Sequence, residues 1–177
     1  QGIGQGNSAG PSGWDAVSAP IIEAMRSQQF GCHATSCISK KKVEFVGFTF
    51  VDDTNLIHTP RQPLQDRNAF LQEFEQVIHT WEGLLCSTGG AIVAKKSCWY
   101  WLHLYWKNDK WRYSSTNNVT KGIYLQQSGH PELLQLYEAS HAEETLGVFL
   151  APDGNLIKQT EKMLNKAKEF GEQVRSQ

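Results

Sequence analysis

Two adjacent acids interrupt an apolar stretch of this chain, and they restrict how that stretch can fold. From Val43 to Val51 the sequence is rich in β-branched and aromatic residues, which is typical of a strand buried on at least one face. A second apolar run, Leu56–Ile57, follows almost at once. Two strands this close in sequence pair antiparallel through a tight turn, so we predict a β-hairpin with Asp52 and Asp53 at its tip.

The paired acids have two interpretations. Aspartate tolerates hairpin turns well, so the pair suits an ordinary turn. Carboxylates on a rigid hairpin also suit Mg²⁺, which takes one or two carboxylates together with substrate phosphates, and paired ions clamp the reacting oxygens of a phosphoryl transfer. Local composition alone leaves both interpretations open.

The overall composition predicts one globular domain with a substantial core. The chain has 177 residues, of which 40% are hydrophobic and 20% charged, and its net charge is -1. It therefore lacks the general basic excess of many nucleic-acid-binding proteins, and any basic surface must be local. Short clusters of lysine and arginine suit either such a surface or solvated turns. They are Lys40–Lys42, Lys95–Lys96 and the group of Lys107, Lys110 and Arg112.

The cysteines indicate a reducing compartment. Cys32, Cys37, Cys86 and Cys98 form no Cys-x-x-Cys pair, so we expect free thiols; a zinc site at Cys32, His33 and Cys37 would need a second ligand pair and is not favoured. We find neither a signal peptide nor an apolar stretch of the roughly 20 residues that a membrane-spanning helix needs. We therefore expect no membrane partner and an intracellular protein, in the cytoplasm or the nucleus.

Apolar periodicity predicts three amphipathic helices. The first covers Trp14–Met25, after a glycine-rich segment. The second covers Ala69–Leu85 and ends at Gly89–Gly90, and we expect it to pack behind the acidic hairpin. The third covers Leu156–Val174.

Further strands are expected in the second half of the chain. Alternating aromatic residues over Cys98–Tyr113 predict an aromatic β-hairpin, whose residues could stabilise the hairpin itself or stack on bases. Ile123–Leu125 suits a short strand, and Glu144–Leu150 suits a strand followed by a turn. For Pro131–His141 we expect a short helix or an irregular segment.

Four segments together resemble the reverse transcriptases, the RNA-directed DNA polymerases, and they occur in that family's order. Phe50–Asp53 resembles the aromatic-x-Asp-Asp signature, and Gln5–Gly6 resembles the Gln-Gly segment, although Gly10 stands where the family usually has Ser. Lys96–Ser97 and Leu146–Gly147 resemble the family's Lys-Ser and Leu-Gly segments. The resemblance covers most of the chain and is closest in character to reverse transcriptases of mobile elements.

The resemblance implies a function for each matched residue. Asp52, Asp53 and Lys96 would be catalytic, with the two aspartates as ligands of Mg²⁺ or Mn²⁺ and Lys96 near the departing pyrophosphate. Gln5, Gly6 and Phe50 would contact the nucleotide or template, and Leu146 and Gly147 would hold the primer end. The implied partners are an RNA or DNA template with its primer, and dNTP.

The family also implies a fold. Residues 1–150 would form part of a right-hand polymerase palm, an α+β fold with an antiparallel sheet and packed helices, and residues 151–177 the first helix of a thumb. In the family, a strand upstream of the Gln-Gly segment carries the first metal-binding aspartate, and this sequence has no residue before Gln1 to supply it. We therefore expect a fragment that is inactive by itself.

Two other functions remain open. A palm-like module could bind RNA or protein without catalysis, although the intact pair Asp52–Asp53 argues against degeneration. An unrelated phosphohydrolase could use Asp52 as a nucleophile, but the chain lacks the apolar strand leading to spaced Asp-x-Asp that such enzymes use.

Overall fold

The computed structural model describes residues 10–50, 53–61, 66–126 and 129–175. These residues combine helices with short strands, which confirms the predicted α+β class. The described part contains three α-helices: α1, Gly10–Ser27; α2, Arg67–Ser87; and α3, Ile157–Arg175. Their positions confirm the three predicted helices. None of the three is both long enough and apolar enough to span a membrane.

The strands are short, and in the described residues they pair two by two. All pairs are antiparallel except β5 with β10, which is parallel. The other pairs are β1–β2, β3–β4, β6–β7, β8–β9 and β11–β12. The strands are β1, Cys32–Thr35; β2, Lys42–Phe45; β3, Gly47–Phe50; β4, Asp53–Leu56; β5, Cys98–Tyr100; β6, Leu104–Lys107; β7, Lys110–Tyr113; β8, Tyr124–Leu125; β9, Glu132–Leu133; β10, Gln135–Tyr137; β11, Glu143–Thr145; and β12, Val148–Leu150.

Backbone contacts divide the chain into two compact units. The first contains the described residues of Gln1–Ala94 together with Ile123–Leu133, and the second contains Lys95–Gly122 with the described residues of Leu134–Gln177. The chain thus leaves the first unit, returns to it for one short segment and leaves it again. The predicted boundary after residue 150 stays a prediction.

An apolar core connects both helices of the first unit to its strands. Ile21 and Met25 of α1 pack with Val77 and Trp81 of α2, and the same cluster includes Val46, which lies between β2 and β3. Met25 is fully buried. Burying side chains of this size contributes about 1.5–3 kcal/mol each, so this cluster fixes the position of β3.

The strand predicted over Val43–Val51 is interrupted at Val46. β2 ends at Phe45 and pairs with β1, whereas β3 begins at Gly47 and pairs with β4. Val46 is buried in the core, and its carbonyl accepts a hydrogen bond from the Ile57 amide at 2.9 Å. A continuous apolar run in the sequence therefore serves two different hairpins, because the chain changes strand partners at a buried residue.

The aromatic hairpin is shorter than predicted. Only Leu104–Tyr113 forms it, whereas Cys98–Tyr100 pairs in parallel with Gln135–Tyr137 of β10. The expected short helix or irregular segment at Pro131–His141 was likewise wrong, since that segment contains β9 and β10. β5 and β10 pair with each other across more than thirty residues, and a strand partner this distant in sequence leaves no local periodicity. The strand predicted at Ile123–Leu125 is confirmed as β8.

The two methionines of the chain test the position of this core. Met25 is fully buried, whereas 63% of Met163 on α3 is exposed. Met25→Ala should lower the free energy of unfolding by about 2–5 kcal/mol, because it removes a buried side chain and leaves a cavity. Met163→Ala is the matched control and should change that free energy by about 0.5 kcal/mol or less. Urea unfolding of both variants measures the difference, and equal losses would contradict this core.

Candidate functional site

The acidic hairpin predicted from the sequence is present. β3 and β4 pair antiparallel in a register that sets Phe50 opposite Asp53, so Asp53 is the first residue of the returning strand and is exposed. Asp52 and the side chain of Phe50 lie outside what the structure describes, as do Gln5 and Gly6. Of the predicted metal ligands, the structure therefore positions Asp53.

Close packing at its base holds the hairpin in register. A Cβ added to Gly47 would lie 2.2 Å from the backbone oxygen of Asn55, so only glycine fits at that position. Leu56 of β4 packs against the core that contains Val77 and Trp81 of α2. The second helix thus packs at the base of the hairpin, as expected from the sequence.

A polar cluster joins two residues that come soon after the hairpin, the buried His58 and the partly exposed Arg61, to Glu73 of α2. His58 Nε2 lies 3.1 Å from Glu73 Oε1, and Arg61 Nε lies 2.7 Å from the same oxygen. The His58 side chain is fully buried, and its ring stacks on Phe70 of α2 with the centroids 5.6 Å apart. This cluster links the segment after β4 to α2.

The surroundings of His58 favour its neutral form. Its Nδ1 lies 3.1 Å from both the amide nitrogen and the carbonyl oxygen of Gly31, and in the tautomer with its proton on Nε2 the ring accepts from that amide while its N–H faces Glu73. Burial lowers the pKa of His58, and the nearby carboxylate of Glu73 offsets this only in part. The cluster can therefore hold the segment after β4 against α2, because a neutral His58 ring keeps its contacts with both Gly31 and Glu73.

Sequence reasoning missed the acids that contribute to this packing. Acids of an amphipathic helix are expected to face solvent, yet Glu82 is buried and the side chain of Glu73 is only 12% exposed. Glu82 Oε1 accepts a hydrogen bond from the Gln126 amide at 2.8 Å. The available signal was the position of His58 immediately after an apolar run, because a buried imidazole needs polar partners.

Lys96 and Asp53 belong to different compact units. Lys96 ends a short 3₁₀ helix, Ala94–Lys96, and it is exposed together with Lys95. The contacts within each unit therefore do not bring the predicted catalytic lysine together with the predicted metal ligand. Their proximity stays a prediction.

Leu146 and Gly147 form the turn between β11 and β12. Their φ angles are +53° and +82°, and a left-handed φ is costly for leucine but not for glycine. Lys162 of α3 donates to the Gly147 carbonyl at 2.8 Å and also contacts Glu144. The turn is thus fastened to the helix while Leu146 remains 56% exposed. Strained turns of this kind are concentrated at binding and catalytic sites.

The remaining candidate ligands form no metal centre in the described residues. No group of three or more His, Cys, Asp or Glu side chains converges there. The four cysteines are free, as expected. Burial raises the pKa of Cys98, so its thiol stays protonated at neutral pH and is a poor nucleophile.

Glycine substitutions test the geometry of the acidic hairpin. Gly47→Ala should lower the free energy of unfolding by about 1–3 kcal/mol, because the added methyl group overlaps the backbone of β4. Gly83→Ala on α2 is the control: a Cβ there meets nothing within 4 Å, and alanine should gain about 0.5–1 kcal/mol. Thermal unfolding distinguishes the two variants. A neutral Gly47→Ala would show that the two strands do not approach this closely.

The lowered pKa of His58 predicts a pH-dependent stability. In the unfolded chain the pKa of a histidine is near 6.5, whereas burial lowers the pKa of His58 in the folded chain. Below this pH the unfolded state therefore binds a proton more readily than the folded state. The free energy of unfolding is thus at its full value above this pH and falls as the pH decreases below it. Urea unfolding from neutral pH to about pH 5 should show this loss, and His58→Phe should flatten it. His33→Phe, at a partly exposed histidine, should retain the slope of the parent chain. An identical slope in His58→Phe would rule out a buried neutral ring.

Comparison of the chain with protein-family models, with curated proteins and with solved structures gives no match in any of the three.

Proposed function

We propose that this chain is part of an RNA-directed DNA polymerase, a reverse transcriptase of mobile-element type, and that the β3–β4 hairpin supplies carboxylates to a two-metal site. The observation that carries the proposal is the strand register. Phe50 and Asp53, the two ends of the aromatic-x-Asp-Asp sequence, lie opposite each other on paired antiparallel strands. A hairpin whose base is packed in a core can hold carboxylates in fixed positions, as a metal site needs.

Asp52 and Asp53 are the residues that would hold Mg²⁺ or Mn²⁺. Asp53 fits this role because it is an exposed hard-oxygen ligand and forms no ion pair with the described residues. When bound, such ions stabilise negative charge on the transferred phosphoryl group. The described residues offer no third converging ligand, so the proposal requires Asp52, substrate phosphates and a further carboxylate.

The other proposed roles concern positioning. Gln5, Gly6 and Phe50 would contact the nucleotide or template, and Lys96 would approach the departing pyrophosphate. Leu146 and Gly147 would hold the primer end, and the left-handed turn fastened by Lys162 supports this role because it presents Leu146 to solvent in a fixed position. Positioning supplies much of the catalysis in phosphoryl transfer.

The corresponding polymerase architecture is also proposed. Residues 1–150 would belong to the palm, and α3 would be the first helix of a thumb. α3 suits an element that packs on further chain, because the described helix buries none of its side chains and exposes large apolar ones such as Met163, Leu164 and Phe170.

Primer extension tests the role of Asp52. The assay uses an RNA template, its primer, dNTP and Mg²⁺, and a chain extended at its amino end by the strand that carries the family's first aspartate. Asp52→Asn should reduce extension at least about 100-fold, because it removes charge stabilisation of several kcal/mol at the metal site. Glu172→Gln, which neutralises an exposed acid of α3, should leave the rate unchanged.

The outcomes separate the proposed function from its alternative. Extension at a near-normal rate by Asp52→Asn would refute the assignment of that residue. An extended chain that folds and binds the primed template but never incorporates nucleotide would instead favour a non-catalytic palm-like module. The chain of 177 residues should not extend the primer by itself, because a two-metal site needs carboxylates from more than one strand.

A further inference from the structure

The β6–β7 hairpin is a preformed ribbon that none of the proposed polymerase residues belongs to. Its two strands are joined by Asn108 and Asp109, whose φ angles are +52° and +56°. A two-residue turn with both φ angles positive matches the natural twist of paired strands, and asparagine and aspartate tolerate this conformation. The ribbon therefore needs no partner to set its shape.

Strand register divides the side chains of this ribbon between two faces. Side chains alternate along a strand, and directly opposed residues share a face. The pairing therefore gives an aromatic and apolar face and a basic face. The first face carries Leu104, Trp106, Trp111 and Tyr113, and the second carries Tyr105, Lys107, Lys110 and Arg112.

The aromatic face is exposed although two indole rings meet on it. Trp106 and Trp111 contact edge to face, with centroids 5.2 Å apart and planes at 74°. Yet 57% of Trp106 and 65% of Trp111 is exposed. Exposed clusters of large apolar side chains mark interaction surfaces in proteins. The indole faces that remain open are flat, which suits a planar ligand.

The basic face carries charge that the protein does not neutralise. Lys107 lies directly opposite Lys110, an arrangement of like charges that destabilises a strand pair. Neither lysine, nor Arg112, forms an ion pair with any described residue. Asp109 in the turn is the one acid of the ribbon, so three cations face one carboxylate. An anionic ligand would relieve this repulsion.

The base of the ribbon is anchored within its own unit. The Ser114 amide donates to the His103 carbonyl at 2.8 Å, and His103 Nδ1 lies 2.7 Å from Ser114 Oγ. Beyond it, Glu138 Oε1 accepts from the Thr116 amide at 2.9 Å and from Thr116 Oγ1 at 2.7 Å. The exposed end of the ribbon is thus the turn end, where Trp106, Trp111 and the two lysines lie.

From this juxtaposition of open indoles and unneutralised cations we infer that the β6–β7 hairpin binds single-stranded nucleic acid, with bases stacked on Trp106 and Trp111 and phosphates contacting Lys107, Lys110 and Arg112. Stacking on aromatic side chains beside a cationic track is how proteins bind single strands without sequence preference. The ribbon has only two strands, whose backbones lie roughly 5 Å apart, so every residue is next to an edge. The long side chains of lysine and arginine can therefore extend around that edge toward a strand that is stacked on the aromatic face.

Other ligands would match only one of the two faces of this hairpin. A duplex keeps its bases stacked inside and offers phosphates without open base faces. An acidic peptide would neutralise the lysines but would leave the indoles without a planar partner. A second copy of this chain, whose net charge is -1, would bring an identical set of cations to the lysines if the hairpins paired with each other.

Direct binding tests the inference without metal, nucleotide or primer. The probe is a short fluorescein-labelled oligothymidylate, followed by fluorescence anisotropy with the chain of 177 residues. Trp111→Ala should weaken binding between about 5-fold and 100-fold, the range expected for one stacked base. Trp111→Phe keeps an aromatic ring and should recover most of the affinity. This control separates the loss of base stacking from the loss of the folded hairpin.

The lysines provide a second measurement. The variant with Lys107→Gln and Lys110→Gln should bind more weakly and should reduce the slope of log affinity against log salt by about 1.4, since each single-strand phosphate contact contributes about 0.7. Its thermal stability should not fall, because the substitutions remove a repulsion. The matched control carries Lys166→Gln and Lys168→Gln on the exposed surface of α3, with the same change in net charge, and should bind like the parent chain.

Four results would overturn the inference. They are absence of binding by the folded parent chain, unchanged affinity in Trp111→Ala, an equal loss in the α3 control, and preference for a duplex of the same length. If sedimentation showed self-association that Trp111→Ala abolishes while oligothymidylate binding persists, the hairpin would be a dimer interface instead. Because the assay contains no metal or dNTP, its failure leaves the polymerase proposal standing, and failure of primer extension leaves this inference standing.

Discussion

The burial of Val46 is the constraint on which the first unit depends. At this residue the chain passes from one strand pair to another, and the backbone is crowded on both sides. A Cβ on Gly31 would lie 2.7 Å from the Phe45 oxygen, and one on Gly47 would lie 2.2 Å from the Asn55 oxygen. Both hairpins therefore approach Val46 through glycines, and the apolar core can close only because these positions lack side chains. The acidic hairpin takes its orientation from this crossing.

The sequence predicted the elements whose signals are local. Apolar periodicity was sufficient for the three helices, and the short distance between two apolar runs was sufficient for the β3–β4 hairpin. It was not sufficient for β5, whose parallel partner lies more than thirty residues further along the chain at Gln135–Tyr137. The burial of Glu73 and Glu82 was missed for a related reason. Their partners, His58 and the Gln126 amide, lie on other segments and reach α2 only in the folded chain, so the helix sequence alone indicates solvent-exposed carboxylates. For the candidate site, the sequence identified the acidic hairpin, whereas the proximity of Lys96 to that hairpin stays a prediction.

Two hairpin turns of this chain use the same backbone conformation with different residues. Asn108 and Asp109 suit left-handed φ angles, so their turn is explained by folding alone. Leu146 does not suit that conformation, and the Lys162 contact to Gly147 offsets part of the strain. Asparagine would adopt this left-handed φ angle at lower cost than leucine. With leucine at this position, the turn carries an exposed apolar side chain. Folding alone therefore explains the residues of the first turn but not the leucine of the second.

The return of the chain to its first unit has a consequence for how the protein can be divided. The segment Ile123–Leu133 comes back to α2 after the excursion through β5, β6 and β7, and it buries Ile123 and Leu125 completely or nearly so. His79 on α2 also contacts the Tyr124 carbonyl at 2.8 Å. A cut after Ala94 would therefore not release an intact first unit, because part of its interior is encoded downstream. Neither unit corresponds to one continuous stretch of the gene, and a truncated copy that ends before Ile123 keeps α2 but lacks part of the interior that packs against it.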